Sequence, residues 1–245
     1  MKSCRYQRRF YRDWARPKDL YSSQLVIKET DLHILTDKPL NKDFLKQRLN
    51  TYRLDIERYI IKDKRFLTAL KPIPVELNAS RIIKRMSQAA KRANVGPMAA
   101  VAGAIAEFLG QDLLKQGYRE VIIENGGDIF LKTEKTRKIA IYPGRLRYWR
   151  GLSLKINPRD TPLGICTSSG TVGHSLNFGY ADSVVVLSKN VSLADAVATA
   201  TANLVQSEEH LNRAINFSKD IKGILGVVII IKKHLACWGD IEFVY

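Results

Sequence analysis

A two-layer α+β fold, long helices laid over a largely antiparallel sheet, is what this sequence predicts. Three observations carry it. Apolar residues recur at helical spacing through residues 41–62, 80–93 and 96–116. Short β-branched runs bounded by turn residues fill much of the rest, and those over 120–156 have the spacing and turn residues of an antiparallel meander. At 245 residues with 45% hydrophobic side chains, the chain has enough apolar surface for one core, or for one core with an appendage.

The elements follow in order. Residues 1–24 read as a basic aromatic leader, and residues 25–245 as a single domain. In the first twenty residues seven basic side chains stand against two acidic ones, with Tyr6, Phe10, Tyr11 and Trp14 among them. Residues 25–35 alternate and are β-branched, which predicts one strand. Residues 41–62 predict a surface helix or two, with Phe44, Leu45, Leu49, Tyr52, Leu54, Ile56, Tyr59 and Ile60 at roughly helical spacing. Pro72 and Pro74 make residues 66–77 an extended connector. Residues 80–93 predict a helix with one basic side. Residues 96–116 predict a buried helix whose small face (Ala99, Ala102, Gly103, Ala106) lets another backbone come close, and Gly117 ends it. Residues 120–124, 129–132, 138–142 and 153–156 then read as an antiparallel meander. A short strand at 164–167, a polar loop at 168–177, a strand at 183–187 and a helix at 193–205 come next. Another helical stretch at 208–218 precedes strands at 226–231 and 241–245.

Composition narrows the function. Forty Lys and Arg against 24 Asp and Glu leave a formal charge of +16, which draws anionic partners: nucleic acid, anionic lipid or a phosphorylated cofactor. Cys4, Cys166 and Cys237 are far apart, without the paired spacing of a zinc site or a disulfide framework, so a reducing cytoplasmic setting is expected. The start lacks the apolar stretch of a secretory signal, and no apolar run has the length of a membrane span. Basic residues among aromatics can track and stack a nucleic acid, yet no RNA-recognition module occurs, so nucleic acid is not the expected partner.

Three features can carry chemistry. In Ser192-Leu193-Ala194-Asp195-Ala196-Val197-Ala198-Thr199, Asp195 and Thr199 lie four residues apart and share a helix face, as two oxygen ligands for a hard cation would. Ser192 with Asp195 also matches a capping box, which would occupy the carboxylate with backbone N–H groups. The loop Thr167-Ser168-Ser169-Gly170-Thr171-Val172-Gly173-His174 offers hydroxyls and exposed backbone to an anion, or is an ordinary turn-rich connection. It is neither a Walker loop nor a nucleophile elbow. Glu124-Asn125-Gly126-Gly127-Asp128 predicts a tight hairpin, whose glycines would also admit a flat ring or a diphosphate.

In this order and approximate spacing, the features resemble the ApbE family, the FAD:protein FMN transferases. The matching residues are Gly103 in AVAGAIAE, Gly126-Gly127-Asp128, Thr167-Ser168-Ser169-Gly170 with His174, and Ala194-Asp195-Ala196-Val197-Ala198-Thr199. The phrases KETDL, VGPMAAVAGAIAE, ENGGDI and TSSGTVGHSL resemble a cytosolic branch of ApbE-like proteins from bacteria and archaea. The resemblance implies a T-fold-like architecture, bound FAD or FMN, and magnesium-dependent cleavage of the FAD diphosphate. FMN would pass to a threonine hydroxyl of an acceptor protein and AMP would be released. It further implies Asp195, Thr199 and the Val101 carbonyl as metal ligands, and His174 and Asp195 as catalytic residues. Gly126, Gly127, Asp128 and Thr167, Ser168, Ser169, Gly170, Thr171 would hold the nucleotide. The chain departs from the family where Ala102 replaces a lysine, and where Ser175-Leu176-Asn177-Phe178 replaces an apolar pair followed by Asp-Pro. A non-catalytic protein binding a flavin, pterin or purine is the alternative that these departures keep open. The sequence leaves the oligomeric state open, homo-oligomers included.

Overall fold

The computed structural model describes residues 17–144, 146–170 and 178–245. Its centre is an eight-stranded sheet of β1 (Tyr21–Ile27), β2 (Thr30–Thr36), β3 (Val121–Asn125), β4 (Asp128–Lys132), β7 (Leu163–Ser168), β8 (Ser183–Ser188), β9 (Ile224–Ile231) and β10 (His234–Gly239), in that spatial order. Every neighbouring pair is antiparallel. Between β2 and β3 the chain forms α1 (Lys42–Lys62), α2 (Arg65–Thr68), α3 (Arg81–Ala93) and α4 (Val101–Lys115); between β8 and β9 it forms α5 (Val191–Leu204) and α6 (Leu211–Lys219). The helices cover one face of the sheet, where Leu49, Met86, Leu109 and Val197 pack with Ile34, Ile123, Val186 and Ile229.

The predicted helix-over-sheet layering is present, and a small third layer adds to it. Strands β5 (Arg137–Ala140), β6 (Ser153–Ile156) and β11 (Phe243–Val244) form a separate sheet in the order β11-β6-β5. Its Leu154 and Ile156 pack with Ile122, Leu131, Val185 and Ile230 on the face turned away from the helices. The expected meander through residues 120–156 therefore stops at β4, which pairs with β7 instead. Burial on both faces also explains why β9 reads as an unbroken apolar run, Val227, Ile229 and Ile231 serving one side and Val228 and Ile230 the other.

Three boundaries differ from expectation. The single strand at 25–35 is a hairpin that turns at Lys28, whose φ is 51°. Its first strand starts at Tyr21, ahead of the expected domain boundary at residue 25. The C-terminal hairpin contains β10, which the sequence reading did not anticipate, and turns at Lys232 (φ 53°). The long helix at 96–116 opens as a 3₁₀ turn, Pro97–Ala100, and becomes α-helical at Val101. Among the described residues no single helix is long and apolar enough to cross a membrane.

A polar bridge fastens α1 to α4. The Tyr52 hydroxyl donates to Asp112 Oδ2 at 2.5 Å, and Arg48 Nε donates to the same oxygen at 2.7 Å. Burial, then the hydrogen bond to Asp112 and its charge, push the Tyr52 phenol up to about 12. The folded state thus prefers the neutral phenol. Stability from this group is complete below the ordinary value of 10.0 and is lost as pH rises from there to about 12. Tyr52→Phe is expected to flatten the decline in denaturant midpoint between pH 9.5 and 11.5, at a cost of about 1 kcal/mol at neutral pH for the lost hydrogen bond. Parallel pH curves for the two proteins would refute this.

Candidate functional site

The site lies where the first turns of α4 and α5 meet the β3–β4 turn and the end of β7. The start of α5 sets it up. Asn190 caps the helix, its side-chain oxygen accepting from the Leu193 N–H at 2.9 Å. The Ser192 N–H and hydroxyl both donate to Glu107 Oε2 on α4, at 3.0 and 2.8 Å. The Ser192–Asp195 capping box is therefore not formed, and Asp195 is free to face α4. There its Oδ2 accepts the Gly103 N–H at 2.8 Å. A free N–H in the first helical turn and the positive end of the helix dipole both favour a carboxylate at this point.

Gly103 makes that approach feasible. A Cβ on it would lie 2.8 Å from the Val191 carbonyl oxygen and 2.8 Å from Asp195 Cβ, closer than such atoms pack. The small face expected on this helix thus serves the α4–α5 crossing. Val101 is half-buried in the same turn of α4, and Thr199 is half-buried one turn beyond Asp195 on the same face of α5.

Gly126 and Gly127 form the two-residue loop between the paired Asn125 and Asp128, with φ of 70° and 104°. Two consecutive positive values are those of a primed hairpin turn, which suits glycine. The flanking side chains lock the turn in place. Glu124 Oε1 accepts the Gly127 N–H at 2.8 Å, and Asn125 Nδ2 donates to the Ala102 carbonyl at 3.1 Å. The second bond ties the hairpin to the same turn of α4 that holds Asp195.

Asp128 stands directly across from Cys166 in the β4–β7 ladder. Its carboxyl lies beside the Thr167 backbone and the Cys166 thiol, which is also 3.4 Å from the Val191 carbonyl. Oδ1 of Asp128 is buried and has no hydrogen-bond partner among the described residues. Burial first, and then the charge of Asp195, push Asp128 well above the carboxylate range. Burial pushes Asp195 up to about 7, against the opposing pull of the Gly103 and Ala102 backbone groups. The Cys166 thiol is likewise raised, by burial and then by the two aspartates.

The end of β7 closes the site. The position of a Cβ on Gly127 lies 3.6 Å from the Thr167 carbonyl oxygen, so the hairpin turn abuts this strand. Ser168 is buried and Ser169 half-buried, and both are engaged in polar contacts. Gly170 donates its N–H to Ala181 at 2.9 Å, and its position for a Cβ is only 1.8 Å from the Gly179 carbonyl oxygen. The two ends of the loop meet there as a neck. Thr171 and His174 lie outside the described residues.

Gly127, Asp128, Thr167, Asp195 and the first turn of α4 are thus brought together. Among the described residues no three His, Cys, Asp or Glu side chains gather as a metal cage. The donor set does fit a hard cation that takes few protein ligands. Two buried carboxylates adjoin, neither is ion-paired to a described Lys, Arg or His, and one has an unpartnered oxygen. The sequence reading gave no site role to Glu124, Asn125, Glu107 or Cys166. Glu124 and Asn125 sit inside the hairpin motif it singled out; the other two depend on cross-strand register and helix crossing.

Comparison with known proteins places this geometry. The chain is 39% identical over 229 residues to the UPF0280 protein of Methanocaldococcus jannaschii, covering 90% of this chain and 91% of that one. It is 37% identical over 222 residues to the UPF0280 protein of Methanococcus aeolicus, covering 89% and 90%. Among solved structures, the flavin transferase ApbE from Vibrio cholerae superposes with a TM-score of 0.60 at 16% identity, over 91% of this chain and 97% of that one. The apo form of the Pseudomonas stutzeri flavinyl transferase ApbE superposes with 0.55 at 14% identity, over 89% and 94%. At such identities the likeness establishes the fold. The family model described as AbpE bacteria matches residues 12–231. The chain therefore belongs to the AbpE bacteria family.

Proposed function

We propose that this protein binds a flavin nucleotide, FAD or FMN, at the junction of α4, α5 and the Gly126-Gly127 turn, and that with magnesium it cleaves the FAD diphosphate and passes FMN to an acceptor protein. The observation that carries this reading is the convergence of four segments, distant in sequence, on two buried carboxylates that lack a cationic partner among the described residues. The Gly126-Gly127 turn carries no side chain, so its backbone could meet a flat ring or a phosphate directly. Asp128 would orient the bound nucleotide, and Thr167, Ser168, Ser169, Gly170 and Thr171 would donate to its phosphates. Asp195, Thr199 and the Val101 carbonyl would hold the cation. His174 would position the phosphate or move the proton at the acceptor hydroxyl. A bound magnesium ion would offset the charge developing on the leaving phosphate.

The net charge of +16 favours capture of an anionic dinucleotide. Free thiols at Cys166 and Cys237 suit the reducing cytoplasm.

Calorimetric titration with FAD, with and without magnesium, followed by chromatography for FMN and AMP, tests the proposal. Magnesium-dependent binding is expected from the wild type, with AMP release as water or an added acceptor protein takes the FMN group. Asp195→Ala should lose both, its FAD affinity in magnesium falling roughly tenfold or more, as for loss of a charged hydrogen-bonding group. Unchanged magnesium and FAD binding by this variant would sink the proposal. A second reading, ligand binding without turnover, is favoured by Ala102 in place of the family's lysine and by Asn177-Phe178 in place of its Asp-Pro. Binding with no AMP under any condition would select it.

A further inference from the structure

We propose that Asp128 is a second carboxylate ligand of the cation, so that the ion is held between the sheet and the helix layer and not by α5 and α4 alone. This rests on the cation-dependent reading above and adds to it a ligand from the hairpin side.

The argument is geometric. Asp128 is 7% exposed and its Oδ1 has no partner among the described residues. Leaving an ionised oxygen so buried is costly without a counter-charge. The ladder places Asp128 opposite Cys166, the Cys166 thiol reaches the Val191 carbonyl, and that carbonyl and Asp195 flank the same glycine on α4. Asp128 and Asp195 thus approach one another from opposite layers. Among the described residues no Lys, Arg or His ion-pairs with either, although the chain carries 40 Lys and Arg. A carboxylate has about four lone-pair sites. The Gly103 N–H occupies only one lone-pair site of Asp195 Oδ2, which leaves others for an ion. Hard divalent cations accept such all-oxygen sets, and water or phosphate oxygens complete them.

The first consequence is for binding: affinity for a hard cation follows the number of charged ligands. The second is for the empty protein. There Asp128 has no ion to hold, so its replacement by the isosteric asparagine should change the cation-free stability little, whereas replacing a purely structural Asp128 would cost stability.

The test is titration of Mn²⁺ followed by electron paramagnetic resonance, without and with saturating FAD, together with melting curves in EDTA. Wild type, Asp128→Asn and Asp195→Asn would be compared, with Asp128→Ser as a second variant should the asparagine form fail to fold. Asp128→Asn is expected to bind Mn²⁺ roughly tenfold or more weakly and to melt within about 2 °C of wild type in EDTA. Wild-type Mn²⁺ affinity in Asp128→Asn would overturn the proposal, and if Asp195→Asn loses the ion in the same series the underlying reading stands. Failure of the wild type itself to bind Mn²⁺, alone or with FAD, would overturn both.

Discussion

Arg137→Met is expected to lower the melting temperature by about 6–20 °C, corresponding to about 3–5 kcal/mol for removing one partner of a buried ion pair in a chain of this size. Arg137 lies on β5 with its side chain only 10% exposed. Its guanidinium donates to Glu120 Oε2 at 2.5 Å, to Asp19 Oδ1 at 2.8 Å and to Thr133 Oγ1 at 3.2 Å. One side chain thereby joins the segment before β1, the entry to β3, the exit of β4 and the small sheet. Methionine would fill the space but leave Glu120 charged and buried. The double variant Arg137→Met/Glu120→Leu should therefore recover most of the loss, because an apolar pair replaces the ion pair without stranding either charge. The pair also sets an acid response. Arg137 and then Lys135 hold the Asp19 carboxyl below its ordinary value of 3.8, so its contribution is complete above that pH and fades as pH falls further. Arg137→Met should weaken that acid dependence. A melting temperature within about 2 °C of wild type would mean that water, not Arg137, balances Glu120.

Much of the fold was legible because its signals are local. The helices over 42–62, 81–93 and 191–204 announce themselves by apolar period, and the Gly126-Gly127 turn by two glycines between β-branched runs. The two lysine hairpins were not legible as turns. Positive φ is usually signalled by Gly, Asn or Asp, whereas here Lys28 and Lys232 adopt it, held by the paired strands on either side. β10 was missed for a second reason: it is an edge strand, partly exposed along its length, with little apolar alternation. The small sheet was misplaced because a meander's spacing does not say where pairing changes partner. At the site, local sequence pointed Asp195 at its own helix. Long-range partners decided otherwise, Glu107 taking Ser192 and Gly103 taking Asp195. The proximity of Asp128 to Asp195 depends on register and crossing geometry together, and neither is written in any short stretch of residues.

Gly103→Ala is expected to abolish measurable cation binding while leaving the protein folded, and Gly103→Val to impair folding as well. Two effects compete in the alanine variant. Replacing a glycine in the first turn of the helix favours the helix by up to about 1 kcal/mol. Against it, the new methyl would sit 2.8 Å from the Val191 carbonyl oxygen and from Asp195 Cβ, and 3.2 Å from Asp195 Oδ2. Overpacking against a core backbone costs about 1–3 kcal/mol. Backbone cannot swing aside as a side chain does, so α5 must retreat from α4 as a unit. The net loss of stability is then about 0–2 kcal/mol, or up to about 8 °C. The functional loss is much larger, because the retreat carries Asp195 away from the Gly103 N–H and from Asp128. Circular dichroism and melting curves, read beside Mn²⁺ titration, separate the two effects. A valine, with two further methyl groups in the same space, pushes the overpacking cost beyond what helix propensity can offset. If Gly103→Ala instead melts higher and keeps its cation affinity, then the α4–α5 crossing yields without disturbing Asp195. The close approach at Gly103 would then be a packing feature alone, with no part in shaping the site.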